Sequence, residues 1–199
     1  MSKFKYYLEK IKLKKNEWKT VKMTDLDKEL VDKLWEMYLT TYGELDIISH
    51  KNVNSIMTGS HKLLMLVDVD EDPLPDAFIV YKEKGNIKKM SLGGTDGSKK
   101  AKRSFIDKLV ELYKSGGFVG ELSTNKAKKL YYILTSHGVP VIKDEKLIKK
   151  VIDLEKGFEN LQENGEYTRR NKAGVKMTKI LLGKLKWKVN ILKTKKWSD

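Results

Sequence analysis

The stretch "SLGGTDGSKKAKRSF", Ser91 to Phe105, places three glycines, small hydroxyls and a burst of cations between an apolar segment and a helical one. Gly93, Gly94 and Gly97 let the backbone visit positive φ and bring its N–H groups close to an anion. A helix starting near Ser98 aims unsatisfied amides and the positive end of its dipole at the same spot. Lys99, Lys100, Lys102 and Arg103 add charge there. Cations at a helix start oppose the dipole, so an anionic ligand explains them better than a solvated face does. The stretch therefore predicts a phosphate cradle. The competing reading is a flexible turn with a solvated basic helix behind it.

Further along, Glu121 ends an apolar run and could accept a proton, directly or through water. Partial burial beside a strand would raise its pKa and make it a better base. Tyr131 and Tyr132 are phenols, able to donate a proton while resisting ionisation near neutral pH. Neighbours on a helix lie about 100° apart, so only one of the two can face a given opening. The structural alternative is a pair of aromatics packed into the core. His50 stands alone before a helical segment, and His61 and His137 read as loop residues. With no cysteine and no spaced histidine–carboxylate cluster, the sequence offers no metal site, disulfide or thiol nucleophile.

These groups need a scaffold. At 199 residues and 40% hydrophobic, the chain can bury one sizeable core. No apolar run approaches the roughly 20 residues that span a bilayer, and the start "MSKFKYYLEKIKLKK" lacks a signal-peptide stretch. The expected location is the cytoplasm, with no membrane partner. The net charge of +14 is uneven: residues 26–75 are acidic, and residues 156–199 carry 12 cations against 4 anions. A polyanion would meet the loop region and the tail. Lysine far outnumbers arginine, however, and base-reading proteins lean on arginine's fork.

Periodicity predicts a strand at "EWKTVKM" and a helix capped by Thr24 that carries Leu26, Leu30, Leu34 and Tyr38 to Gly43. A short helix from Ser49 to Gly59, a buried strand "KLLMLVDV", and two strands around Lys84-Gly85-Asn86 follow. After the glycine loop, Phe105, Ile106, Leu109, Leu112 and Tyr113 line a helix. "FVGEL" reads as a strand, "TNKAKKLYYILTSHG" as a helix, "VPVI" as a short strand and "EKLIKKVIDLEK" as a helix. "VKMTKILLGKLKWKVNIL" is ambiguous between helix and hairpin, with alternation favouring strand near its end. The order gives an α/β (α+β) fold: a mixed sheet with helices on both faces and a basic C-terminal extension. Residues 1–155 form the domain, with a basic segment at 1–16, and residues 156–199 form the extension packed on it.

That order, with the glycine loop and "STNKAKKLYYILTSHG", resembles the GNAT superfamily of acyl-CoA N-acyltransferases from about Glu17 to Ile142. Ala127, Leu130, Tyr131 and Gly138 match the family's Asn…Ala-x-x-Leu-Tyr…Gly helix in type. The resemblance implies acetyl-CoA or a related acyl-CoA as donor and an amine as acceptor. It implies that Leu92, Gly93, Gly94, Thr95, Gly97, Ser98, Lys99, Lys100, Arg103 and Asn125 hold the coenzyme. Tyr131 would protonate the departing thiolate, Glu121 would serve the amine as base, and His50 would lie by the acceptor pocket.

The chain also resembles Mom-type DNA-modification proteins of phages, divergent GNAT-like folds that alter adenine. In that comparison His50, Glu121 and Tyr131 fill the positions of a histidine, an acid and a tyrosine. The alternatives to amine acylation are therefore a nucleic-acid-modifying enzyme and a non-catalytic nucleic-acid binder. Both would use the basic tail, where Arg169, Arg170, Lys176, Lys179, Lys184, Lys186 and Lys188 are interleaved with Tyr167 and Trp187.

Overall fold

The computed structural model describes residues 17–22, 26–42, 61–67, 75–124, 127–153, 157–171 and 174–185. In chain order these form β1 (Glu17–Lys22), α1 (Lys28–Tyr42), β2 (His61–Val67), β3 (Pro75–Lys84), β4 (Ile87–Thr95), α2 (Lys99–Ser115) and β5 (Phe118–Ser123). Then come α3 (Lys128–Ser136), α4 (Glu145–Ile152), β6 (Phe158–Glu159), β7 (Glu166–Arg170) and β8 (Lys176–Gly183). The chain divides into two compact units. One comprises Met1–Glu83 with Met90–Asp107, the other Lys84–Lys89 with Lys108–Asp199. Along the ladders the strand order is β1-β2-β3-β4-β5-β8-β7-β6. The fold is the mixed α/β sheet that the order of elements predicts.

In the first unit, β1, β2 and β3 pair antiparallel. Leu30, Leu34, Met37 and Tyr38 recur at helical spacing along α1 and pack on Leu63, Met65, Phe78, Val80 and Leu92. Each such side chain, fully buried, contributes roughly 1.5–3 kcal/mol. The Asp27 carboxylate accepts from the Leu30 amide at 2.9 Å and so caps α1. The cap is thus Asp27, three residues later than the Thr24 expected from sequence, and Thr24 lies outside the described residues. His61 is also relocated: it is the buried first residue of β2, not part of a loop.

Gly93 and Gly94 are residues of β4. A Cβ on Gly93 would lie 2.8 Å from the Phe105 ring of α2, and one on Gly94 would lie 3.0 Å from the Met37 carbonyl of α1. Successive strand residues face opposite ways. These two glycines therefore admit one helix on each face, and packing requires them.

In the second unit, β5 pairs in parallel with β4 at Lys88↔Phe118 and Lys89↔Val119. On its other side β5 pairs antiparallel with β8, β8 with β7, and β7 with β6. Helix α4, capped by Asp144 on the Leu147 amide at 3.0 Å, lays Ile148, Val151 and Ile152 over Ile87, Val119, Tyr167 and Leu181. The opposite face is held by α2, whose Tyr113 lies directly against Gly120. Residues 139–142 supply one bridge, Val141↔Leu182, in place of the expected strand. Among the described residues no helix is long and apolar enough to cross a membrane.

Candidate functional site

At the start of α2, Ser98 caps the helix by accepting from the Ala101 amide at 3.1 Å. Lys99, Lys100 and Arg103 are exposed, and with Ser104 and Asp107 they line a groove of about 500 Å³. The cationic wall expected from sequence is present. The loop amides before it, however, already have acceptors. The Thr95 amide donates to Thr41 Oγ1 at 3.0 Å and the Asp96 amide to the Asp76 carbonyl at 2.9 Å. The Gly97 amide donates to Thr95 Oγ1 at 3.3 Å, and the Ser98 amide to the Asp96 carboxylate at 2.9 Å. Asp96 thus occupies the place an incoming phosphate would take at Ser98. Of the three expected cradle glycines only Gly97 adopts positive φ, at 95°. Leu92, Gly93, Gly94 and Thr95 are buried strand residues.

Glu121 lies on β5 with its side chain 11% exposed. Lys89 Nζ of β4 stands 3.2 Å from its carboxylate, Arg169 Nη1 of β7 3.0 Å and Lys179 Nζ of β8 3.9 Å. Burial pushes the Glu121 pKa up, but Lys89, Arg169 and Lys179 together outweigh it and hold the carboxyl below its ordinary value. The expected upward shift is reversed because the sheet surrounds the acid with three cations. Burial also pulls the Lys89 pKa down, against the attraction of Glu121. Sequence reasoning missed these partners. The three cations are remote from Glu121 along the chain, and only the register aligns them.

Tyr131 lies elsewhere. It is half-buried in α3 beside a cavity of about 270 Å³, lined also by Leu122, Thr124, Tyr132, Thr178 and Ile180. Its ring meets that of Tyr132 edge-on at 5.4 Å, and Tyr132 is 58% exposed. Glu121 pairs with Leu181, and alternation puts Leu122 and Ile180 on the opposite face. The structure therefore does not bring Glu121 and Tyr131 together. His50 and Asn125 lie outside the described residues. His137 is the exposed C-cap of α3, its Nδ1 2.7 Å from the Ile133 carbonyl.

The described cations of the tail are largely engaged. Arg169 and Lys179 contact Glu121, while Arg170 and Lys176 contact Glu159 at 3.3 and 2.9 Å. Lys186, Lys188 and Trp187 lie outside the described residues.

No family model matches the sequence, and neither does any curated protein. Among solved structures, the chain is similar to a protein described as an acetyltransferase of the GNAT family from Bacteroides thetaiotaomicron. The TM-score is 0.51 at 13% identity, over 89% of this chain and 93% of that one. It is also similar to the ribosomal-protein-S18-alanine N-acetyltransferase from Escherichia coli, with TM-score 0.47 and 10% identity, over 86% and 97% of the two chains.

Proposed function

We propose that this chain, which has the fold of the GNAT superfamily, moves an acyl group from acyl-CoA to an amine. The observation that carries this reading is the convergence of Lys99, Lys100 and Arg103 on one groove at the Ser98-capped start of α2. A helix start with three cations fits the phosphates of a coenzyme. Lys99, Lys100 and Arg103 hold them, and Ser98 joins once Asp96 yields its amide. Leu92 to Gly97 shape the strand and turn that lead there. When bound, the coenzyme supplies the acyl thioester. Tyr131 holds a proton at its phenolic oxygen for the departing thiolate, a role that its half-buried position suits better than that of exposed Tyr132.

Glu121 is not assigned as the base. A carboxylate held below its ordinary pKa by three cations is a weak proton acceptor. His50 and Asn125 keep the acceptor and coenzyme roles that the resemblance implies. The base-modifying alternative needs Glu121 and Tyr131 at one place, and their separate faces count against it.

Calorimetric titration of the full chain with CoA and acetyl-CoA tests the donor. Binding is expected, and Lys99→Ala should weaken it by about 1–2 kcal/mol, the size of one charged hydrogen bond. Absence of both heat and thermal shift at millimolar ligand overturns the proposal. Labelled acetyl transfer to a panel of amines then tests the chemistry. Tyr131→Phe should lower turnover about a hundredfold and Tyr132→Phe far less.

A further inference from the structure

Four charged side chains from four strands meet on one face of the second unit, and their charges do not cancel. Lys89, Arg169 and Lys179 all stand within 3.9 Å of the single Glu121 carboxylate. Two ammonium groups and a guanidinium offer many more N–H donors than two carboxylate oxygens can accept. Among the described residues Arg169 reaches Glu121 through Nη1, and the other edge of its fork has no contact. Lys179, at 3.9 Å, is beyond hydrogen-bond range of the acid. The four side chains are 11–30% exposed, so solvent shields them little and a small ligand can still reach them. Two more groups share this face. Tyr167, opposite Lys179 in the ladder, has a buried hydroxyl with no hydrogen-bond partner among the described residues, and Ser123 lies opposite Lys179 on its other side.

Three cations and one carboxylate leave a net charge that a dianion cancels and a monocarboxylate only halves. A guanidinium fork flanked by ammonium groups also matches the geometry of phosphate oxygens. We propose that Lys89, Arg169 and Lys179 form a binding site for a phosphate dianion, free or as a monoester. Glu121 acts as the fixed counter-ion that holds the three cations together while the site is empty. The site is distinct from the groove at the start of α2, shares no residue with it, and does not depend on acyl transfer. Burial, with smaller contributions from Arg169 and Lys179, lowers the Lys89 pKa against the attraction of Glu121.

The test is titration of the full chain with inorganic phosphate at constant ionic strength, followed by calorimetry and by the nitrogen resonances of the arginine and lysine side chains. Phosphate should bind one-to-one and perturb the Arg169 and Lys179 resonances. Arg169→Gln should weaken binding by about tenfold or more, as expected for a lost charge-assisted fork. Glu121→Gln, which removes the competing carboxylate, should tighten it. Lys179→Gln should fold normally, since its contact is the loosest, and should still lose about threefold in affinity. That variant keeps the test decisive should Arg169→Gln fail to fold. Acetate should bind at least about tenfold more weakly than phosphate, having half the charge.

Phosphate affinity unchanged in Arg169→Gln and Lys179→Gln overturns the proposal. So does affinity lost instead in Lys99→Ala and Arg103→Ala, which would move the anion to α2, or acetate binding as well as phosphate.

Discussion

Replacing Glu121 by Gln keeps the shape of the side chain and deletes the one negative charge among three cations. Lys89 and Arg169 stand at 3.2 and 3.0 Å, distances at which each pair attracts by roughly 5 kcal/mol at an effective dielectric near 20. Desolvation of the acid and repulsion among the cations offset most of that. Breaking a buried pair from one side typically costs about 3–5 kcal/mol. The cations here remain 20–30% exposed, which favours the lower end, about 3 kcal/mol. For a chain of this length that lowers the melting temperature by about 6–12 °C.

The pH dependence adds a second constraint. The folded-state pKa of Glu121 lies below its unfolded value, so the stabilisation is complete above the unfolded pKa. It fades as pH falls through the folded one. Urea unfolding of both proteins at pH 7 and in acid measures this. The gap should be near its full size at pH 7 and should close in acid. A variant within about 0.5 kcal/mol of the parent at pH 7, or a gap that persists in acid, refutes the reasoning.

Three other changes test the packing. Gly120→Ala drives a methyl into the fully buried Tyr113 and should cost about 1–3 kcal/mol by overpacking, read as a lower urea midpoint with unchanged slope. Tyr167→Phe removes a buried hydroxyl that has no partner and should leave stability equal or raised by about 1 kcal/mol in the same assay. Burial, reinforced by Lys82, holds the His61 pKa down at about 4 against an ordinary 6.5. Its neutral form therefore stabilises the fold above pH 6.5, and that contribution is lost as pH falls towards 4, by at most about 3 kcal/mol. His61→Leu should flatten the stability profile in that window.

The elements that sequence makes legible are those whose signal is local. Leu30, Leu34 and Tyr38 along α1, and Phe105, Leu109 and Tyr113 along α2, repeat at helical spacing and are buried as expected. The hairpin at Gly85 turns at a φ of 58° that glycine accommodates without strain. β8 carries a weaker local signal. Its "ILLG" end is buried on both faces, so it shows an apolar run with neither period. β7 reads as polar because Arg169 points inward, towards an acid 48 residues away. Gly93 and Gly94 carry an ambiguous signal. A glycine admitted for close helix packing has the same letter as one admitted for an anion. Thr95 and Asp96 likewise resemble ligand-binding polar residues, yet they satisfy their own loop.

The pairing of β5 also bears on how the chain is made. Gly120↔Leu182 and Ser123↔Lys179 join residues about 60 positions apart, whereas towards β4 the registered pairs are only Lys88↔Phe118 and Lys89↔Val119. During synthesis, β5 therefore leaves the ribosome with one long edge unpaired until the β8 sequence follows. Over that interval Lys89 is, among the described residues, the one eventual partner of Glu121 already translated. β8 brings β5 both its hydrogen bonds and, with β7, the charges of Lys179 and Arg169 that face its acid. A nascent chain paused between residues 123 and 176 carries an open edge of the kind that recruits other strands, so that interval is its window of exposure to aggregation.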